Sequence, residues 1–443
     1  MKALIDRAAA ANPLPDGTMT VGVGLIVNGM AAYAVLAVAG RALGPDAFEP
    51  LSVLWAMIYL VGPGVFLPLE QEVGRALADR WARRIGTGPL VRQAGVIGAG
   101  LAVLLVVATL AGAALLLDRL FDDQVLLLVG FLLALVGYAI VYLTRGMLAG
   151  MGRFRAYSRY YVAENLLRLS GCVVLAIVGT ATAGPYGIVV GVAPLVAVFL
   201  SLRGEQDLVT PGPPAPWGEL SAALGSLLAA SALTAFLLYA GPIAVRLLST
   251  TEDSGDAGRF LAALALARVP VFMFQAVQAA LLPKLSALAG AGRFIEFRSR
   301  LVRLLVVVAA IGVLGALGAA MIGPEIVRLL FGGEFDVGRR DITLLALSSA
   351  AFMLAVSLGQ ALIALEGQAW LVLGWLSGAV TFLAVLAVGD DVFLRVEMGL
   401  TLGSAVAAAV LGLLLVVRLH GNLSPSPHTL VSEGGTPAVQ PNT

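Results

Sequence analysis

Residues 125–143 read VLLLVGFLLALVGYAIVYL, nineteen positions without a single charge. A helix rises ~1.5 Å per residue, so about 20 apolar residues cross a hydrocarbon core ~30 Å thick. This stretch has the length and composition of a transmembrane helix, and the rest of the chain repeats it. Of the 443 residues, 59% are hydrophobic and 12% charged, with a mean hydropathy of +0.95. A soluble domain carries about 25% charged residues; a chain with half of that cannot cover a water-exposed surface. Working outward at the same length finds twelve apolar segments, near residues 19–40, 51–67, 94–117, 125–143, 161–179, 183–202, 220–248, 260–282, 301–322, 342–365, 370–388 and 397–417. The second is short, and Pro63 is expected to bend it. The expected fold class is all-α and polytopic, with twelve transmembrane helices.

Composition removes most chemistry. Cys172 is the only cysteine and lies in an apolar run, and the two histidines, His420 and His428, lie at or beyond the last apolar segment. Disulfides, thiol–metal clusters and histidine-based nucleophilic sites are excluded on that count. No Gly-x-x-x-x-Gly-Lys-Ser/Thr loop occurs, so nucleotide hydrolysis is not the energy source. No enzyme activity, cofactor, metal or nucleic-acid partner is expected. Lys2 and Arg7 precede the first apolar run, but that run is longer than the 7–15 residues of a cleavable signal core.

Basic residues orient the spans. With the amino terminus inside, the ends and even-numbered connections hold 18 Lys and Arg residues and the opposite side seven, which places both termini in the cytoplasm. An internal repeat divides the spans. Leu67-Pro68 recurs as Leu282-Pro283, Met147-Leu148-Ala149 falls on Leu362-Ile363-Ala364, Gly152 on Gly367, and Phe121-Asp122 on Phe335-Asp336, at offsets of 215 or 214. The organisation expected is a cytoplasmic segment 1–18, a six-helix lobe 19–202, a proline-stiffened linker 203–219, a second lobe 220–417 and a disordered cytoplasmic tail 418–443. Six spans per repeat is even, so the lobes are two parallel six-helix bundles related by an axis along the membrane normal. They can enclose a central cavity and open it to alternate sides, as transporters do.

Three arginines lie within spans: Arg168 in the fifth, Arg246 near the outer end of the seventh and Arg268 well inside the eighth. A charge there costs about 2.5 kcal/mol or more and usually faces a bundle interior or an aqueous cavity; a guanidinium suits phosphate. The surplus of positive charge points to an anionic substrate group. The alternatives are pairing with Glu164, four residues before Arg168 on the same face, and snorkelling for Arg246. Helical spacing extends the candidates for the cavity: Gln275 and Gln278 continue a polar stripe from Arg268, Tyr239 lies seven residues before Arg246, and Asn165 sits beside Glu164. Such a stripe also serves as glue between helices. Glu70, Glu72 and Glu164 are the candidates for a proton-coupled carboxylate.

Two basic connections show a helical apolar stripe: Val73, Leu77, Trp81 and Ile85 in the first half, Phe294, Phe297 and Leu301 in the second. They are expected to lie as interfacial helices at the headgroup level. Gly187 and Gly191 in the sixth span have the spacing of a close helix contact.

Four stretches carry a family resemblance. Gly40-Arg41-Ala42-Leu43-Gly44-Pro45-Asp46-Ala47-Phe48 and Arg145-Gly146-Met147-Leu148-Ala149-Gly150-Met151-Gly152-Arg153-Phe154 resemble segments of the oligosaccharide flippases in the multidrug/oligosaccharidyl-lipid/polysaccharide exporter (MOP) superfamily. Gln278–Ser286 and Gly323–Gly332 are similar to the same group. The resemblance implies a MATE-like pair of bundles. It also implies a flippase that moves a polyprenyl-pyrophosphate-linked oligosaccharide, a precursor of cell-envelope polysaccharide, from the inner to the outer leaflet of a bacterial-type plasma membrane. The partners it implies are the lipid-linked glycan, membrane lipids and glycan polymerases, around a monomer. Arg168, Arg246 and Arg268 suit a cationic cavity chemically, though no family motif matches them one by one. Three other readings stay open: a multidrug-type secondary exporter of small amphipathic compounds, a polytopic glycan polymerase or ligase, and a non-transporting relative. The first, seventh and eighth spans hold no Asp or Glu, which counts against export of cationic drugs.

Overall fold

The structure is a computed structural model that describes the backbone of residues 18–220, 224–250 and 255–423. Side chains are described for these residues apart from 18–28, 217, 273, 275–283 and 421–423. Fourteen helices occur among them: α1 (Thr18–Val61), α2 (Leu67–Ala82), α3 (Gly88–Ala111), α4 (Ala113–Leu120), α5 (Val125–Gly150), α6 (Phe154–Ile177), α7 (Ala183–Leu202), α8 (Leu224–Leu248), α9 (Asp256–Ala267), α10 (Val269–Gly290), α11 (Phe294–Phe331), α12 (Arg339–Ala364), α13 (Gln368–Leu386) and α14 (Val392–Leu423). The chain is an all-helical, multi-pass membrane protein.

Every apolar segment falls on helix, yet ten helices among the described residues are individually long and apolar enough to cross a membrane. One continuous helical run over the first two segments accounts for part of the difference from twelve, and the eighth segment contains residues 273 and 275–283, whose side chains lie outside the described residues. The first two segments run together in α1, which turns sharply at Gly44, where φ of 70° admits glycine and penalises any other residue. The eighth segment is interrupted at Arg268 between α9 and α10. Pro63 bends the second segment as expected, through a π-helical turn over Gly62–Phe66. The tail differs from expectation at its start: α14 continues to Leu423, carrying helix past the end of the apolar run over Arg418, Leu419 and His420. The remainder of the tail and residues 1–17 lie outside the described residues.

Helices before residue 203 pack mainly on one another, α5 against α7, α2 and α3, and α6 against α7. Those after residue 224 do the same, with α14 against α12 and α13 and α11 against α12. The halves meet where α1 lies on α8, α9 and α10. Glycine permits the closest approaches. A β-carbon on Gly191 of α7 would stand 2.3 Å from the Gly130 carbonyl of α5, so the two backbones touch.

Neither expected interfacial helix lies free on a lipid surface. Val73 and Leu77 in α2 are wholly buried, and Gly74 of α2 meets Gly150 of α5 so closely that a β-carbon on Gly150 would sit 2.5 Å from the Gly74 carbonyl. In the second half Phe297 and Leu301 are buried as the first turns of the long spanning helix α11. Part of each apolar stripe packs on protein, while Trp81 at the end of α2 stays 48% exposed; a count of stripe residues alone does not separate the two. Between the halves, the linker is strapped to α2. Arg80, 3% exposed, donates to Glu219 Oε2 and Oε1 at 2.7 and 2.9 Å and to the Gly86 carbonyl at 2.7 Å. Thr87 and Thr210 exchange hydrogen bonds alongside it, and Gly88 N–H donates to the Thr210 carbonyl at 2.8 Å.

Gly191→Val should force the α5–α7 contact apart. Overpacking of this kind costs about 1–3 kcal/mol, so the detergent-purified variant is expected to melt at a lower temperature than Gly100→Val, made at an exposed glycine whose β-carbon would meet nothing within 4 Å. Equal melting temperatures would contradict the backbone contact.

Candidate functional site

Two clusters lie on the seam between the halves, at the middle of the bundle and at the end opposite the linker. The middle cluster begins in α6. Arg168, 2% exposed, pairs with Glu164 Oε1 at 2.8 Å one turn earlier, donates to the Tyr59 hydroxyl at 3.2 Å and stands 5.9 Å from the Trp55 ring. The pairing alternative therefore holds for Arg168. Tyr59 stacks on Trp55 at 4.8 Å within α1 and meets Tyr239 of α8 at 5.6 Å, so an aromatic bridge crosses from one half to the other.

Arg268 lies beyond that bridge, with Tyr239 and Tyr33 near enough to interact with its charge. It is 5% exposed, reaches the Leu237 carbonyl at 3.4 Å and stands 5.6 Å from the Phe352 ring. Its Nε and Nη1 have no hydrogen-bond partner among the described residues, and neither does the buried Tyr33 hydroxyl. An unpaired buried donor costs about 1–3 kcal/mol, more when charged. The arrangement presents directed positive N–H groups beside a tyrosine hydroxyl, which is what an anion requires. Tyr33 also lines an apolar cavity of about 330 Å³ between α1, the α9–α10 break and the end of α11.

The other candidates are placed elsewhere. Asn165 is buried and bonds within its own helix, to the Tyr161 carbonyl at 2.9 Å. Glu72 pairs with Arg75 at 2.9 Å. Glu70 pairs with Arg145 at 3.0 Å and accepts from the Tyr157 hydroxyl at 3.0 Å. Gln275 and Gln278 are helical in α10, and their side chains lie outside the described residues. Arg246 stands apart from the middle cluster. It bonds to Asp122, pairs with Glu49 at 3.3 Å and donates to the Arg119 carbonyl at 3.1 Å.

That contact belongs to the end cluster, where the Gly44 turn meets the second half. Glu49, 2% exposed, accepts the Gly255 N–H at 2.7 Å and the Ala257 N–H at 3.3 Å, at the start of α9. A carboxylate at a helix N-terminus satisfies free donors and complements the dipole. Arg41 donates to the Leu329 carbonyl at 2.8 Å. Phe48 is wholly buried against Phe335 at 5.9 Å and Phe331 at 6.3 Å. The stretches Gly40–Phe48 and Gly323–Gly332 thus close on each other and seal this end.

Sequence reasoning passed over Glu49, Arg145, Tyr33, Tyr59 and Glu397. Arg145 counts as a loop residue by charge, yet it is buried in α5 with its guanidinium 4.7 Å from both the Tyr142 and Tyr161 rings. The spacing of Tyr138, Tyr142 and Arg145 along one face was the available signal. Glu397 is wholly buried in α14 with neither oxygen hydrogen-bonded among the described residues; it is the first residue of the last apolar segment, where a span and its flanking loop meet.

No family model matches the chain. Two uncharacterized proteins of Mycobacterium tuberculosis are similar to it, each 29% identical. One aligns over 390 residues, 84% of this chain and 86% of the relative; the other over 426 residues, 91% and 92%. Among solved structures, a multidrug resistance MATE family transporter of the MOP superfamily in its inward-facing conformation is similar with a TM-score of 0.72 at 12% identity, covering 90% of this chain and 98% of that one. An outward-facing structure of such a transporter gives 0.64 at 11% identity over 92% and 96%.

Glu49→Ala should loosen the seal. Hydrogen bonds to a charged group are worth about 1.5–3 kcal/mol. A cysteine placed at Ala37, with Cys172 replaced by Ser, is therefore expected to react with a membrane-impermeant maleimide on the order of tenfold faster in the Glu49→Ala background. An unchanged labelling rate would remove Glu49 from the seal. The chain has the MATE-like fold of the MOP superfamily's transporters.

Proposed function

We propose that the chain is a flippase for a polyprenyl-pyrophosphate-linked oligosaccharide, moving it from the inner to the outer leaflet by alternating access. The observation that carries this reading is Arg268: a buried guanidinium with two donor nitrogens unpartnered, and no paired carboxylate, among the described residues. A phosphate oxygen supplies what those donors lack, bidentately where geometry allows. The apolar cavity beside Tyr33 suits the hydrocarbon side of the same substrate. Residues 19–202 and 220–417 are the two rocking lobes, and the linker travels with the first through Arg80. The sealed end faces outside, both termini lie in the cytoplasm of a bacterial-type plasma membrane, and the protein acts as a monomer beside glycan polymerases.

In this cycle the lobes part at the linker end and a lipid-linked anion reaches Arg268 along the seam. The Glu49 and Arg246 contacts then release as the other end opens. Glu70, Glu72 and Glu164 remain the acids for a proton step, each exchanging its arginine partner for a proton. A second reading, export of small amphipathic compounds, is favoured by the almost wholly apolar lining of the same cavity.

Native mass spectrometry of the mildly solubilised protein, followed by lipid extraction, separates the two. Co-purification of a polyprenyl-pyrophosphate glycan is expected, and Arg268→Ala should lose it, with transport reduced at least tenfold and the amount of folded protein in the membrane unchanged. Bulk phospholipid alone, with tight binding of amphipathic dyes, would transfer the assignment to the exporter; unchanged transport by Arg268→Ala would remove Arg268 from the site.

A further inference from the structure

Helices α9 and α10 form one span interrupted near its middle. Pro270 has no N–H to return to the Leu266 carbonyl. Arg268, at φ −95° and ψ 0°, closes α9 by donating its own N–H to the Leu264 and Ala265 carbonyls at 3.0 and 3.3 Å. Its carbonyl then opens α10, accepting from Val271 at 3.0 Å and Phe272 at 3.2 Å. A single residue therefore ends one helix and starts the next.

Open space flanks this break on two sides. One side is the cavity of about 330 Å³ toward α1. The other is a cavity of about 210 Å³ between Leu266, Pro270 and the facing side of α11. Leu266 and Val269 line both. The α11 side is cleared by glycines. Gly312 is needed for packing, since a β-carbon there would stand 2.5 Å from Ala350 Cβ. Among the described residues Gly315 and Gly318 are not: a β-carbon on Gly315 would make only an ordinary 3.5 Å contact with Pro270 Cγ, and one on Gly318 would meet no described atom within 4 Å. Glycine costs roughly 0.5–1 kcal/mol against alanine inside a helix, so two that no close contact requires leave room for something else.

Among the described residues, the contacts on the two sides of the break differ in kind. α9 is pinned at its start by the backbone hydrogen bonds to Glu49. The described contacts of Phe272 in α10 with α1 are apolar, on Gly29 and edge-to-face on Tyr33.

We infer that the Arg268–Pro270 break is a hinge, and that the Gly315–Gly318 face of α11 is the clearance into which α10 swings while α9 stays fixed. The inference rests on the alternating-access reading and adds to it the moving element. Proline breaks are where helices bend, and a swing needs empty volume that a packed interior does not offer. Arg268 sits at the pivot, so an anion held by its side chain acts on the residue whose backbone must turn. Ligand capture and helix movement share one residue.

The test uses the full chain in lipid nanodiscs with Cys172→Ser, spin-labelled at Arg83→Cys in the first half and Gly290→Cys at the end of α10, both exposed positions. Double electron–electron resonance is expected to give two distance populations. Gly318→Leu and Gly315→Leu should fill the clearance and leave one population, whereas Gly100→Leu, at an exposed glycine of α3, keeps both. Pro270→Ala, which restores the N–H to the Leu266 carbonyl, should shift the ratio of the two populations at least fivefold and keeps the test open if the leucine variants do not fold. Two populations persisting in the leucine variants with an unchanged ratio in Pro270→Ala, or a single population in the parent, would overturn the hinge. No transported substrate enters the measurement. A hinge that fails while native mass spectrometry still finds a bound lipid glycan leaves the flippase reading standing, and the converse result fails that reading alone.

Discussion

Hydrocarbon offers no water to a charge, so an arginine inside this bundle must bring its own counter-ion or find one. That rule sorts the interior. Arg168 has Glu164, Arg145 has Glu70, Arg80 has Glu219, and Arg246 has Glu49 and Asp122. Four of these pairings also join separate elements, tying α5 to the start of α2, α2 to the linker, and α8 to both α1 and the turn at Asp122. Breaking a buried pair by removing one partner costs about 3–5 kcal/mol, so the pairs hold the helices in register as well as neutralising one another. Among the described residues Arg268 is the buried arginine that the rule leaves unsatisfied.

The seam between the halves is built differently at its two ends. Opposite the linker it is a polar and aromatic seal made from backbone donors, one carboxylate and three phenylalanines. At the linker end the strap is fastened to the first half through Arg80 and the Thr87–Thr210 exchange. The aromatic contact of Tyr59 with Tyr239 lies between the two ends. It separates an Arg–Glu pair that is electrically complete from an arginine that is not.

The spans were legible because their signal is additive: nineteen uncharged residues at 125–143 outweigh any local exception. Breaks within spans were less so. Gly44 is one glycine among 52, and only the close approach of Pro45 and Asp46 to α9 shows why the chain turns there. Charge was read by position along the chain, and this misplaced Arg145, which stands at the end of an apolar run yet points among tyrosines from two helices. Arg246 shows the same limit. A cation near the end of a span reads equally as cavity, snorkel or latch, and its partners Asp122 and Glu49 lie 124 and 197 residues away. Glu164 and Arg168 were legible as a pair because four residues of helix fix their geometry. Arg268 was legible for the opposite reason, having no acid within a turn.

That difference between the two arginines bears on how a single substrate is handled. A site of two unpaired arginines would hold a diphosphate tightly and, in a medium of low polarity, release it slowly. Here the first half already neutralises Arg168, so an arriving anion meets one open guanidinium rather than two. For the proposed flippase this implies binding strong enough to draw a phosphate from the membrane surface and weak enough for hydration on the far side to compete, since that function needs the ligand to leave as well as to enter. The Glu164–Arg168 pair retains a second use: if the anion approaches Arg168 across Tyr59, Glu164 must give way by taking a proton or turning aside. A carboxylate four residues from its arginine, on the same rigid helix, is a counter-ion that a phosphate can displace without moving the backbone.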